Sequence, residues 1–184
     1  MMKAPVRDKR KGILACYTGE GKGKTTAAFG TILRAVGYGW KICVIQYVKG
    51  SWKYGEMEGI KQLEPKVEFH RKGLGFYKIM DDKLPEEEHK NAAAEALEFS
   101  REKIASEDFD MVILDEFNVA IQTGLIAIDD AIELLKQRPP WLHLIVTGRG
   151  APDELIEICD LVTEMKEIKH PYQSGTIAQK GFDY

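Results

Sequence analysis

The stretch TGEGKGKTT, from Thr18 to Thr26, combines glycine, lysine and threonine at spacings suited to holding a polyphosphate. Backbone N–H groups in such a turn converge only where the chain takes conformations that glycine tolerates, and Gly19, Gly21 and Gly23 supply that freedom. Lys24 can reach the outer phosphates, and the Thr25 hydroxyl is placed to ligate Mg²⁺, as the G-K-[ST] half of a phosphate-binding P-loop requires. Thr26 is a further phosphate-contact candidate. The pattern departs from G-x-x-x-x-G-K-[ST] at its first position, where Thr18 stands for glycine and Gly19 follows. A merely flexible Gly/Lys turn would account for the composition, but not for a strand-like run before it and a helical pattern after it. The sequence therefore predicts a protein that binds a nucleoside triphosphate with a divalent metal.

Two further groups could join that site. Asp115 and Glu116 end the apolar run MVIL, so their carboxylates should emerge at the carboxyl end of a buried strand, with one of them holding the metal directly or through water. The alternative is a helix N-cap aspartate followed by a solvated glutamate. Arg149, in TGRG, follows the apolar run LHLIVT and could neutralise a phosphate oxygen through its guanidinium, or be a plain loop arginine.

These groups work together only if the fold brings them to one edge. GILACY, from Gly12 to Tyr17, is short, apolar and without helical period, which suits a strand buried on both faces. After the loop, Ala27, Ala28, Phe29, Ile32, Leu33 and Val36 recur at helical spacing until Gly37 and Gly39 stop the pattern. KICVIQYV (Lys41 to Val48) and VEFH (Val67 to His70) read as strands, with a Gly- and Glu-containing loop between them. Pro85 followed by Glu86, Glu87 and Glu88 favours a helix start, and that helix should run to about Ser106. MVILD, LHLIVT and DLVTEM are three more strand candidates, separated by helical stretches at about residues 128 to 137 and 152 to 159. Such alternation predicts an α/β fold, a mainly parallel sheet with helices on both faces and ligands at the carboxyl ends of its strands.

The whole chain narrows the class of partner. Its 184 residues suit one compact domain over 1–184, with 1–11 as a flexible arm. With 26 basic and 29 acidic residues and a formal charge of -3, a duplex nucleic-acid partner is disfavoured and a small molecule or protein is favoured. Cys16, Cys43 and Cys159 are an odd number, widely spaced and in apolar surroundings, as expected in a reducing compartment. Residues 1 to 12 are polar and charged and no apolar run is long enough to span a bilayer, so a soluble cytoplasmic protein without membrane association is expected. His70, His89, His143 and His170 lack metal-ligand spacing; His170, in KHP, could line a site or simply pack.

The motifs are more specific than a generic P-loop. TGEGKGKTTAAFG, RAVGYG, VIQYVKG, VEFHRKGLGF, DMVILDE, IVTGRG and the final IKHPYQSGTIAQKGFDY, in this order, resemble the P-loop type of ATP:corrinoid adenosyltransferase, acting on cob(I)alamin or cob(I)yrinic acid a,c-diamide. The resemblance runs from Ile13 to Tyr184. It implies a three-layer, RecA-like P-loop NTPase fold, and transfer of the 5′-deoxyadenosyl group of ATP to the Co(I) of a reduced corrinoid with release of triphosphate. Carried over by motif, Gly19, Glu20, Gly21, Lys22, Gly23, Lys24, Thr25 and Thr26 would grip the triphosphate and Arg149 would lie near it. Glu116, with Thr25 and Asp115, would hold Mg²⁺ or Mn²⁺. Lys24, Thr25 and Glu116 would then be the catalytic set.

Family members also pack apolar and aromatic side chains against the lower face of the corrinoid, removing an axial ligand so that Co(II) is more easily reduced. Here KGLGFYK is the matching segment, with Phe76 first and Tyr77 beside it. Many members carry a second aromatic two places after the phenylalanine, where this chain has Lys78. Tyr77, Trp52 or Tyr54 could replace it, or could serve ordinary packing. Only 17 residues precede Thr18, fewer than the arm that covers the ATP site in several relatives. The resemblance further implies a homodimer and a reductant protein such as a flavodoxin. Two other readings of the same P-loop remain: a small-molecule kinase or ATPase, and a RecA-like binding module switched by nucleotide.

Overall fold

The computed structural model describes residues 10–48, 54–75, 77 and 84–183. Its strands are β1 (Leu14–Thr18), β2 (Ile42–Gln46), β3 (Val67–Arg71), β4 (Met111–Asp115), β5 (His143–Thr147) and β6 (Leu161–Glu164). Its α-helices are α1 (Lys24–Gly37), α2 (Gly55–Lys61), α3 (Glu86–Ala105), α4 (Phe117–Gln122), α5 (Ile128–Lys136) and α6 (Asp153–Ile158). One sheet of order β3-β2-β4-β5-β1-β6 holds all six strands, and every pairing is parallel. The expected mainly parallel sheet is thus wholly parallel among the described residues.

Strand position follows burial. All five residues of β2 and of β4 are buried, as continuous apolar runs flanked by strands and helices must be. At the edges, only Val67 of β3 is fully buried and β6 is exposed throughout. Because successive side chains point to opposite faces, the strands feed two cores. Cys16, Cys43, Ile45, Val112, Leu114, Leu144 and Val146 pack beneath α3, α4, α5 and α6. Ala15, Ile42, Val44, Ile113 and Ile145 pack beneath Ala28, Ile32 and Ala35 of α1 and Ile60 of α2. This is the three-layer P-loop arrangement.

Three local features differ from or add to the sequence reading. The loop expected between β2 and β3 contains α2, a seven-residue helix with glycine at its start and near its centre, whose buried residue Ile60 joins the α1-side core. Packing outweighs poor propensity there. The six residues FNVAIQ of α4, too short for a periodic signal, form a helix that buries Phe117, Asn118, Ala120 and Ile121. Arg10, within the stretch expected to be a flexible arm, pairs with Asp110 at 2.9 Å, donates to the Trp141 carbonyl at 3.2 Å and lies 4.3 Å from the Trp40 ring centroid.

The cysteines are less separate than their spacing suggests. Cys16 and Cys159 share a thiol hydrogen bond, which lowers the pKa of Cys16 and raises that of Cys159. Burial pushes the Cys43 thiol up to about 12. Among the described residues no helix is long and apolar enough to cross a membrane.

Candidate nucleotide site

At the carboxyl ends of the central strands the sequence-predicted groups meet. Residues 19–23 form the turn between β1 and α1, and α1 begins with no side-chain cap and no acid in its first turn. Its first N–H groups and positive end are therefore left to an anionic ligand. Gly23, the N-cap, has φ 111°, a conformation that L side chains rarely adopt. Gly21 is needed for a different reason: its N–H donates to the Met165 carbonyl at 2.7 Å, and a Cβ would come within 2.8 Å of that oxygen. The chain following β6 thus braces the loop. Thr18, the residue standing for the first glycine, accepts the Ala151 N–H at 3.2 Å and ties the loop to the segment after β5.

Lys24 lies folded over the turn, its Nζ donating to the Gly19 carbonyl at 2.6 Å and to the Gly21 carbonyl at 2.7 Å. Burial lowers its pKa; Glu116 opposes that shift, and Arg149 adds to it. Glu116 and Arg149, two of the charges expected at this edge, are therefore within electrostatic reach of the lysine. Arg149 Nη1 pairs with Glu20 Oε2 at 3.2 Å, so the arginine sits at the rim of the P-loop. Lys22, on the same loop, pairs with Asp183.

Asp115 is the centre of a buried polar cluster. With no exposed surface, its Oδ1 accepts from Thr25 Oγ1 at 2.8 Å and from Thr147 Oγ1 at 2.7 Å, while Oδ2 accepts from Gln46 Nε2 at 2.8 Å. The carboxylate binds the start of α1 to the ends of β2 and β5 and fixes the Thr25 hydroxyl. It is not a helix N-cap: the N-cap of α4 is Glu116, whose side chain makes no capping bond. Glu116 has φ 61° and ψ 22°, and its N–H donates to Thr147 Oγ1 at 3.1 Å. Gln46 and Thr147 were not among the candidates, although each is the polar residue at which a central apolar strand ends. That position was the available signal.

Asp115→Ala would leave the donors of Thr25, Gln46 and Thr147 without their acceptor. A loss of about 3 kcal/mol in stability is expected, as for a buried charge network deprived of one member. It would be read as a lower urea midpoint at unchanged slope. A loss below about 1 kcal/mol would show that the carboxylate does not hold these elements together.

Other candidates fall elsewhere. Phe76, Trp52 and Lys78 lie outside the described residues. Tyr77 is buried, its ring 5.1 Å from that of His89, while Tyr54, half-buried, precedes α2. His143 stacks on Trp40 and accepts the Ile13 N–H at 3.2 Å through Nδ1; burial lowers its pKa, with Arg10 contributing next. His170 accepts the Tyr172 N–H at 3.2 Å. Strand pairing does bring His70, Glu68 and Cys43 together, with donor atoms within 4.8 Å of one another, but the Lys103 ammonium already engages Glu68 at 2.7 Å.

A wholly parallel α/β sheet with a P-loop after β1 and a buried aspartate ending β4 defines a nucleoside-triphosphate-binding protein of the P-loop class. Residues 10–184 match the family described as ATP:corrinoid adenosyltransferase BtuR/CobO/CobP, and the chain belongs to it. It is 37% identical over 182 residues to a corrinoid adenosyltransferase of Pseudomonas aeruginosa, covering 98% of this chain and 87% of the relative. It is 38% identical over 182 residues to one of Escherichia coli, covering 98% and 89% respectively. The fold is shared with the flagellar accessory protein FlaH of Methanocaldococcus jannaschii at TM-score 0.53 and 14% identity, over 84% of this chain and 71% of that one.

Proposed function

We propose that this protein transfers the 5′-deoxyadenosyl group of ATP to the cobalt of a reduced corrinoid and releases inorganic triphosphate. Family membership over residues 10–184 carries the reading, and the P-loop joined to Asp115 through Thr25 supports it. In the transfer, the Co(I) electron pair forms the cobalt–C5′ bond as the C5′–O5′ bond breaks. Cobalt passes formally from +1 to +3, and the bond electrons leave with the triphosphate. A Co(I) nucleophile has no proton to remove, so the residues required are those that position C5′ and stabilise the departing charge.

The P-loop suits that task. Lys24 exchanges the Gly19 and Gly21 carbonyls for phosphate oxygens, and the uncapped start of α1 faces the same charge. Gly19, Glu20, Gly21, Lys22, Gly23 and Thr26 complete the ATP-contacting set, with Arg149 at its rim. Thr25, Glu116 and Asp115 offer the oxygen donors that a hard divalent cation prefers, which fits Mg²⁺. Bound there, Mg²⁺ would neutralise triphosphate charge. Asp115 already accepts three hydrogen bonds and orients Thr25, which supports Glu116 as the principal carboxylate toward the metal. A homodimer, a flavodoxin-like reductant and a cytoplasmic location belong to the same reading.

The test is anaerobic incubation of the purified chain with ATP, Mg²⁺ and chemically reduced cobalamin. Light-sensitive adenosylated corrinoid and triphosphate are expected; ADP without that product would instead indicate a kinase or ATPase. Phe76 remains the proposed lower-face residue, with Tyr77 placed beside it in sequence. Phe76→Ala should impair reactions starting from Co(II) and a biological reductant more than those supplied with Co(I). Equal impairment of the two would remove that role.

A further inference from the structure

The nucleotide site occupies the carboxyl ends of the strands, whereas a second group of ligand-type side chains lies near the amino end of β2. There β2 and β3 pair in parallel, with Cys43 in register with Glu68 and Ile45 with His70. Residues in register, and residues two apart on one strand, project to the same face of a sheet. Cys43, Glu68 and His70 therefore meet on one face, with a thiol sulfur, a carboxylate oxygen and an imidazole nitrogen all within 4.8 Å of one another. Spacing along the chain gave no sign of this group, because its third member comes from the neighbouring strand.

Helix α3 closes over the group. The His70 ring packs edge-on against Phe99 of α3, centroids 4.7 Å apart, and its Nε2 lies 3.1 Å from Glu68 Oε2. Lys103 Nζ donates to the same Oε2 at 2.7 Å and lies 5.4 Å and 5.3 Å from the ring centroids of Phe99 and Phe109. A carboxylate beside two ring faces is a place that draws a cation, and here it holds an ammonium. The hydrogen bond from Lys103 lowers the pKa of Glu68, which keeps its carboxylate charged at neutral pH. Cys43 is fully buried, but the imidazole is 30% exposed and the carboxylate 45%, so the group is reached from solvent along β3.

We propose that Cys43, Glu68 and His70 bind a divalent zinc ion, which takes the place of the Lys103 ammonium and fastens the edge strand β3 to β2. One thiolate, one imidazole and one carboxylate are donors that zinc accepts together, whereas Mg²⁺ prefers oxygen alone. Donors on one tetrahedral zinc ion stand about 3.5 Å apart, so separations within 4.8 Å leave at most about 1.3 Å to close. Side-chain rotation on an edge strand is enough for that. On binding, the Cys43 thiol gives its proton to water and its sulfur lone pair forms the metal bond. Burial disfavours that thiolate in the free chain, and the charge of the dication offsets the penalty. Lys103, on a long stem with its side chain 24% exposed, turns out to solvent.

The experiment titrates the reduced, metal-free full chain with Co²⁺ and then displaces the Co²⁺ with Zn²⁺. Thiolate-to-cobalt charge-transfer absorption saturating at one ion per chain is expected, and Zn²⁺ should remove it. The nucleotide site offers oxygen donors and gives no such band. Cys43→Ser should abolish the band, and His70→Ala should weaken Co²⁺ binding by about 100-fold or more. Cys159→Ser should leave both unchanged. Lys103→Met should bind Co²⁺ more tightly by about fivefold, the scale of one partly exposed ion pair that no longer has to be broken. Zn²⁺ should also raise the urea midpoint of the wild type but not that of His70→Ala, a substitution at a partly exposed ring. Absence of the band in the wild type, its persistence in Cys43→Ser or its loss in Cys159→Ser overturns the site, as does unchanged affinity in His70→Ala. Unchanged or weaker binding in Lys103→Met overturns the exchange with the ammonium.

Discussion

Lys24→Ala is expected to lower kcat by about 10² to 10³ while leaving the unfolding midpoint nearly unchanged, as for removal of a preorganised charge from a site of developing negative charge. The two carbonyls that the ammonium now satisfies, those of Gly19 and Gly21, lie on a turn that water can reach once the side chain is gone. In the free protein its pKa lies below the ordinary 10.5, first because burial disfavours the charged form. A bound triphosphate favours the charged form. ATP affinity should therefore decline as pH rises through the lowered pKa, beginning below 10.5, and this limb should be absent in Lys24→Ala. Single-turnover rates with preformed Co(I) and saturating ATP isolate the chemical step. Turnover within about threefold of wild type would remove Lys24 from the leaving-group site.

The sequence makes local features legible and leaves non-local ones hidden. GKGKTT between an apolar run and a helical pattern specifies strand, turn and helix, because glycine tolerance and hydrophobic period are properties of neighbouring residues. Asp115 could be placed at the end of a strand on the same grounds. What it touches could not, because Gln46, Thr147 and Thr25 reach it only through the order β2-β4-β5-β1, which no local pattern encodes. Lys22 and Asp183 are 161 residues apart, and neither charge announces the other. The helices α2 and α4 were missed because seven and six residues are too few for a 3.6-residue period to show. The reading of Gly21 as a residue giving loop freedom was incomplete for a related reason: the Met165 carbonyl against which it packs belongs to the chain following an edge strand.

Replacement of Glu116 should separate catalysis from stability. Glu116→Ala is expected to lower kcat by about 10² to 10³ through loss of a carboxylate toward the metal. Its left-handed φ of 61° is costly for any residue with a Cβ, by about 1 to 2 kcal/mol, so alanine inherits the strain while losing the function. Glycine would not inherit it. Glu116→Gly should match the alanine variant in turnover but exceed it in stability by roughly 1 kcal/mol, read as a rise in urea midpoint at unchanged slope. The Glu116 N–H, which bonds Thr147, is retained in both variants, so the difference reports strain and not a lost hydrogen bond. If both variants turn over normally, the carboxylate is not toward the metal. If glycine is no more stable than alanine, the conformation at 116 stores no strain. Turnover lost in both variants, with stability higher in the glycine variant, is what a backbone held in a strained state for chemistry requires.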